Sequence, residues 1–366
     1  MDMKVAIGTW EAPPTYNGPA YYIKELVERI SKYIDVVLIV PSTATVKDKT
    51  GLVVRKIGSI DIPIVRVCLF ALRASSTVGR LNADLIHDNG VLGFTNFSPF
   101  IETWHHANID DRKYMRASQY YLSFYRELLT LKGIRKADSI IAVSSVAKEE
   151  LIRTYSIPSS VIEVIPHGVD VDFFRPLPLG EVSSYFQRNG EIYLLYVGGL
   201  IKRKNVSSLI RALKLVVNER ADVHLLIVGV GSEKNHLQEL TANLNLKEYV
   251  TFMGSVSRER LLELYNMADY VVQPSYKEGF GMTVLEALAC EKPVIMTPTG
   301  ISEVVKKNDL GVVVDDFTPS SLAIAIKYAL DRPKFSGLRK FVTENFSWDK
   351  TVELTLQIYK RTLQNR

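Results

Sequence analysis

Short runs of β-branched and aromatic residues alternate with stretches of helical periodicity along the whole chain. In the first half the strand-like runs are Lys4–Gly8, Val36–Val40, Val53–Ile57, Asp84–His87, Phe100–His105, Ser139–Ser144 and Val161–Ile165. In the second half they are Tyr193–Gly198, Val223–Gly229, Val250–Gly254, Tyr270–Gln273, Pro293–Thr297 and Gly311–Val314. This alternation predicts α/β architecture, with parallel sheets covered by helices on both faces. Between the two sets, Asp170 to Gly190 carries Pro176, Pro178 and Gly180 and lacks periodicity, which marks a linker. The pattern therefore predicts two Rossmann-like doubly wound domains, 1–175 and 176–347, facing each other across a cleft. A last helix, about Trp348 to Leu363, has no strand after it and is expected to pack back on the first domain, carrying residues 348–366 with it.

Composition supports two domains, because 366 residues exceed the size at which a single core usually stops growing. Net charge of +5 is too mild for a dedicated nucleic-acid binder, although clustered cations could still act locally. Cys68 and Cys290 sit among apolar residues, the setting of buried, reduced thiols. The N-terminus enters a strand directly, leaving no room for a signal peptide, and no apolar run approaches the roughly 18 residues that span a bilayer. The expectation is a soluble cytoplasmic protein, at most peripheral at the inner face of a membrane.

The most informative segment is Pro274-Ser-Tyr-Lys-Glu-Gly-Phe-Gly-Met-Thr-Val-Leu-Glu-Ala-Leu-Ala-Cys290. Glycines let backbone approach a ligand, and the first N–H groups of the following helix form an anion site. Glu278 and Glu286 on either side would repel a bare phosphate but suit hydroxyls. Together these point to a ligand with both phosphate and polyol, such as a nucleotide-sugar. Glu278 precedes the glycines in a loop where no cap explains it. Glu286 has a second reading, since Thr283-Val-Leu-Glu286 fits a capping box. Tyr196-Val-Gly-Gly-Leu-Ile-Lys-Arg-Lys-Asn205 ends a strand with Gly198 and Gly199 and places Lys202, Arg203 and Lys204 where a diphosphate could lie; a solvated loop is the alternative. Val228-Gly-Val-Gly-Ser232 is either a similar approach at Gly229 or only a tight turn, and Thr299-Gly-Ile-Ser-Glu303 repeats the glycine–hydroxyl–carboxylate logic, with Ser302 as a possible cap.

In the first half, His105 and His106 close a strand, followed by polar Asn108–Asp111, and their spacing forms no metal-ligand pattern. His87-Asp88-Asn89 ends the preceding strand, Asn17-Gly18-Pro19 follows the first, and His167-Gly168 precedes the linker. From Asp111 to Asp138, Arg112, Lys113, Arg116, Arg126, Lys132, Arg135 and Lys136 interleave with Tyr114, Tyr120, Tyr121, Phe124 and Tyr125. Such a stretch either lies on an anionic membrane or is an ordinary surface helix with an aromatic core face.

In their order and spacing these motifs resemble the retaining GT-B glycosyltransferases of family 4 (glycosyl transferases group 1), over nearly the whole chain. The resemblance is carried by Ile140-Ile-Ala-Val-Ser-Ser, Val164-Ile-Pro-His-Gly-Val-Asp, Val197-Gly-Gly-Leu, Gly229-Val-Gly, Ala268-Asp-Tyr-Val-Val-Gln-Pro-Ser and two glutamates separated by seven residues. It implies that Glu278 contacts donor-sugar hydroxyls, Glu286 the ribose and Lys204 the diphosphate. Gly279, Phe280, Gly281, Met282 and Thr283 would line the sugar and diphosphate, Gly18 would lie near the phosphates, and His105, ahead of His106, beside the transferred sugar. Catalytic roles thus fall to His105, Glu278 and Lys204, with no side-chain nucleophile. The resembled enzymes usually carry an arginine where this chain has Gly199, which leaves the diphosphate to Lys204 with help from Arg203. The resemblance further implies hexosyl transfer from a UDP- or GDP-linked donor to a lipid, glycan or small-molecule hydroxyl, without metal or other cofactor. No Asp-x-Asp motif is placed to hold a divalent ion. A GT-B nucleotide-sugar epimerase or hydrolase, or a non-catalytic nucleotide-sugar-binding homologue, are the competing readings.

Overall fold

The computed structural model describes residues 3–13, 18–58, 63–105, 117–178, 190–332 and 335–365, with backbone alone over 63–66 and 117–123. The chain divides into two compact units, Met1–Gly168 together with Trp348–Arg366, and Val169–Ser347.

The first unit contains β1 (Lys4–Thr9), α1 (Gly18–Ile30), β2 (Asp35–Pro41), β3 (Leu52–Ile57), α2 (Pro63–Val78), β4 (Leu85–Asn89), β5 (Phe100–Trp104), α3 (Ala117–Ile134), β6 (Ser139–Ala142), α4 (Ser145–Tyr155) and β7 (Ile162–Val164). The second continues with β8 (Ile192–Val197), α5 (Val206–Val217), β9 (Val223–Val228), α6 (Lys234–Asn243), β10 (Val250–Gly254), α7 (Arg258–Met267), β11 (Tyr270–Gln273), α8 (Met282–Ala289), β12 (Val294–Met296), α9 (Ser302–Lys307), β13 (Gly311–Val313), α10 (Pro319–Asp331) and α11 (Leu338–Asn345), and α12 (Trp348–Gln364) returns to the first. Every run read as a strand is one, with ends shifted by a residue or two.

Both sheets are parallel throughout, in the order β3-β2-β1-β4-β5-β6-β7 and β10-β9-β8-β11-β12-β13. In each, the order reverses at the first strand, and ligands bind such sheets outside the carboxyl ends of the strands near that reversal. Helices cover the sheets with apolar stripes. On α5, Val206, Leu209, Ile210, Leu213 and Val216 recur at helical spacing and are buried against β8, β9 and α10.

The unit boundary lies at Gly168 rather than near residue 175. Val169 donates its N–H to Phe346 O at 2.8 Å, Asp170 pairs with Arg258 at 2.6 Å, and Arg339 bonds the carbonyls of Val171 and Phe174. These contacts make residues 169–178 part of the second unit; the rest of the expected linker, 179–189, lies outside the described residues. In the first unit α12 packs along α1. Its Tyr359 hydroxyl lies 2.6 Å from His87 Nδ1, and Thr351 bonds Pro166 O. Both cysteines are free, but only Cys290 is buried; Cys68 on α2 is half-buried. Burial pushes the Cys290 thiol up to about 12, so it is inert.

Candidate active site

Two loops at the carboxyl end of the second sheet are zipped together residue by residue. The loop after β8 ends in a 3-10 turn over Lys202–Lys204, followed by buried Asn205 in left-handed conformation. The Asn205 amide donates to Pro274 O at 3.1 Å, and Tyr276 N–H donates to Arg203 O at 2.9 Å. Arg203 Nη1 donates to Lys277 O at 2.6 Å, and Lys204 Nζ reaches Glu278 Oε1 at 2.5 Å. Ser275, wholly buried, donates to the same Glu278 oxygen at 2.6 Å, while Arg203 Nη1 lies 3.6 Å from the other. Burial alone would raise the Glu278 carboxyl. The charges of Lys204 and Arg203, with the bonds from Lys204 and Ser275, overcome it and hold the group at about 2. Glu278 is therefore an ionised, nearly buried acceptor flanked by two cations.

From Glu278 the chain turns through Gly279 and buried Phe280 to Gly281, which precedes α8 at φ +110°. A side chain at 281 would be strained there, and its Cβ would press on Gln273 Oε1 at 3.3 Å. Met282 and Thr283 then form the first turn of α8, which starts without a side-chain cap and points its positive end this way. The turn is braced from below: Ile301 N–H donates to Phe280 O at 3.0 Å, and a Cβ at Gly300 would strike that same oxygen. Gly229, after β9, lies so close to Gly198 that any Cβ would collide with its carbonyl. Gly199 is different, since its carbonyl accepts from Tyr196 Oη at 3.0 Å but its Cβ position is open.

Glu286 is not a cap. α8 begins after Gly281 with no side-chain cap, and the Glu286 carboxylate accepts from Tyr265 Oη of α7 at 2.7 Å. Burial pushes Glu286 up to about 7, despite the Tyr265 bond. Ser302 likewise caps nothing, being the first residue of α9 after Ile301.

In the first unit, His105 follows β5 and lies half-buried, its Nε2 3.3 Å from Asn89 Oδ1. The rings of Tyr22 and His167 flank it, with centroids at 5.2 and 5.5 Å, and Tyr22 stacks on His167. Burial lowers His105 to about 4, so its imidazole is neutral near pH 7. Of His87-Asp88-Asn89, only Asn89 reaches His105. His87 is buried between Tyr359 and Thr103, and Asp88 holds the loop by accepting from Val91 and Leu92 N–H groups. Gly18 opens α1 with free space at its Cβ position. Asn17 and His106 lie outside the described residues, as do Asn108 to Arg116.

Ser275, Tyr265 and Asn205 are site residues that the motif reading did not single out. Ser275 stands three residues before Glu278 in the quoted segment, a spacing that could have flagged it. Tyr265 and Asn205 find their partners only through tertiary packing.

The glycosyl transferases group 1 model matches residues 182–345, and the glycosyltransferase family 4 model matches residues 16–173. The chain belongs to the group 1 glycosyltransferases. It is 28% identical to an uncharacterized glycosyltransferase of Methanocaldococcus jannaschii over 400 aligned positions, covering 99% of each chain. It is 31% identical to a D-inositol 3-phosphate glycosyltransferase of Kineococcus radiotolerans over 259 residues, 64% of this chain and 59% of that one. Among solved structures, the fold matches a sucrose-phosphate synthase from Thermosynechococcus elongatus with TM-score 0.84 at 22% identity, covering 100% of both chains. It also matches Anabaena HepE in complex with UDP, with TM-score 0.79 at 18% identity, covering 98% of this chain and 100% of that one. These likenesses establish the two Rossmann-like units as a GT-B fold.

Proposed function

We propose that this group 1 glycosyltransferase moves a hexosyl group from a UDP- or GDP-linked donor to a hydroxyl of a lipid, glycan or small molecule, with retained anomeric configuration. The observation that carries the reading is the Lys204–Glu278 pair set beside the amino end of α8. Donor hydroxyls meet ionised Glu278, and the ribose meets Glu286. As the bond from the anomeric carbon to the leaving oxygen breaks, negative charge develops on the diphosphate. Lys204 and the leading N–H groups of α8 stabilise that charge in place, which is the main source of acceleration for such a step. The acceptor oxygen attacks from the leaving-group side and passes its proton to a phosphate oxygen. The family resemblance assigns neutral His105 a place beside the transferred sugar. In this reading the protein needs no metal and no cofactor besides its donor. UDP bound to HepE and the D-inositol 3-phosphate glycosyltransferase relative support a nucleotide-sugar donor.

Cytoplasmic localisation with peripheral membrane contact through 111–138 belongs to the same proposal. Among the described residues no helix is long and apolar enough to cross a membrane. On α3, Phe124, Tyr125 and Leu128 are exposed, and Arg135 lies just beyond its end. Of the other basic residues described in the stretch, Arg126 pairs with Glu11, Lys132 sits over Phe94, and Lys136 bonds Gly93 O.

The deciding experiment is a thermal-shift panel of UDP- and GDP-sugars, followed by assay of nucleoside diphosphate release with and without candidate acceptors. A donor at 100 times its Kd should stabilise the fold by about 2.7 kcal/mol. Release should depend on acceptor and fall at least tenfold in Glu278→Ala and Lys204→Ala. Stabilisation by none of the donors rejects the reading, and release that needs no acceptor points to an epimerase or hydrolase.

A further inference from the structure

In the first unit, β4 and β5 bring two carboxyl groups together. Asp88 and Glu102 are paired in the parallel register, and both are wholly buried. Glycines make the room for them. A Cβ at Gly8 on β1 would come within 3.2 Å of Asp88 Oδ1, and one at Gly133 on α3 within 2.5 Å of Glu102 Oε2. Asp88 takes the N–H groups of Val91 and Leu92. Glu102 Oε1 takes Gly90 N–H at 3.0 Å, while its Oε2 accepts from no donor among the described residues.

The two acids are hydrogen-bonded to each other. A carboxylate only accepts, so a bond between two carboxyls requires one proton. Charge leads to the same result, because two ionised carboxylates side by side in a dry interior repel, and one of such a pair keeps its proton. Lys136, just beyond α3, is the charged side chain whose field reaches both acids, and Lys132 stands near it. Lys136 is bonded to Gly93 O and Thr95 O, and Lys132 lies over Phe94. The proton belongs on Glu102: two backbone N–H groups favour the ionised form of Asp88, and only one meets Glu102.

The pair holds the segment that serves His105. Asn89 follows Asp88 directly, and its Oδ1 lies 3.3 Å from His105 Nε2. Gly90 comes next at φ +82°, pressed so close to α3 that a Cβ would come within 2.8 Å of the Thr130 hydroxyl. The anchored N–H groups of Gly90, Val91 and Leu92 fix the backbone immediately beyond Asn89. Glu102 itself stands three residues before His105, on the strand that delivers it. We propose that Glu102 is a positioning residue for His105: it stays protonated, donates its O–H to Asp88, and through Gly90 N–H holds Asn89 where the amide orients the imidazole. That His105 serves a transferred sugar rests on the proposed function; the placement of its ring does not.

The test uses the unaltered chain, Glu102→Gln, whose amide donates as the protonated acid does, and Glu102→Ala. In protein labelled at the glutamate carboxyl carbons, NMR at pH 7 should show a protonated carboxyl signal that vanishes in Glu102→Gln. In protein carrying nitrogen-15 histidine, the ring signals of His105, identified by their loss in His105→Gln, should hold their positions in Glu102→Gln and shift in Glu102→Ala. Urea unfolding should find Glu102→Gln gaining on the parent as pH rises from about 4.5, since an acid raised in the folded state loses its contribution with rising pH. Should Glu102→Ala fail to fold, Glu102→Asp keeps the acid but draws it back from Gly90, and it too should shift the ring signals. An ionised Glu102 at pH 7 overturns the inference. So do His105 signals unmoved by the alanine and aspartate variants, or moved as far by glutamine. Because the ring is read without ligand, failure of every nucleotide-sugar to bind would reject the proposed function and leave the pair standing.

Discussion

Glu278 and Glu286 sit one short helix apart, yet their surroundings drive them in opposite directions. Two cations hold Glu278 at about 2, whereas burial carries Glu286 up to about 7. The signs of their pH dependence therefore differ. Glu278, depressed below an unfolded value near 4.5, contributes stability that is present above that value and lost as pH falls toward 2. Its full size is about 3 kcal/mol by the linkage relation. Urea unfolding should find Glu278→Gln less stable than the parent near pH 7, with the gap closing in acid. Glu286, raised in the folded state, contributes stability that is complete below about 4.5 and lost as pH rises through 7. Glu286→Gln should thus gain on the parent as pH rises across that window; a constant difference would contradict the assigned burial. Gly199→Arg belongs to this scale too. Its backbone accepts a side chain, so the substitution should leave folding intact or add about 0.4–1 kcal/mol through a less flexible unfolded chain. It should also tighten nucleoside diphosphate binding, measured by calorimetry.

Among the helices, a hydroxyl residue near the start takes different structural roles. Ser144 precedes α4 in extended conformation and accepts from Ala147 N–H at 3.0 Å, a true N-cap. Thr283, which with Glu286 spells a capping box, lies inside the first turn of α8 because Gly281 takes the cap position. Ser144→Ala should cost about 1 kcal/mol, and Thr283→Ala no more than about 0.5 kcal/mol, in denaturant titrations. Equal costs would mean that Thr283 caps the helix after all. The strands β4 and β5 show a second consequence of tertiary context. Asp88 and Glu102 face each other in the parallel register, both fully buried. Burial pushes both carboxyls up, Glu102 further because the charge of Asp88 lies beside it.

At the scale of the molecule, the chain completes its first unit only after finishing its second. Trp348, Val352, Ile358 and Tyr359 of α12 are buried in the unit that begins at the N-terminus. Burying four such side chains is worth on the order of 6 kcal/mol or more, comparable to the whole stability of an ordinary domain. A variant ending at Ser347 should therefore lose the first unit to limited trypsin digestion while fragments from within 169–347 persist. Equal protection of both would show that α12 is dispensable for folding.

The alternation of apolar runs with helical stretches determined both parallel sheets and every strand to within a residue or two at its ends, because pleat, periodicity and turn chemistry are written locally. The order of the glycine and carboxylate motifs likewise marked the segment from Pro274 to Glu286 as the candidate site. Only the tertiary structure decided what each group touches. Lys204 meets Glu278 across 74 positions and Tyr359 meets His87 across 272, separations that no local pattern encodes. It also decided that Glu286 answers to Tyr265, that the unit boundary falls at Gly168, and that Gly199 stands in open space. Those facts depend on which distant surfaces the folded chain brings together, and burial then sets the charge each group carries.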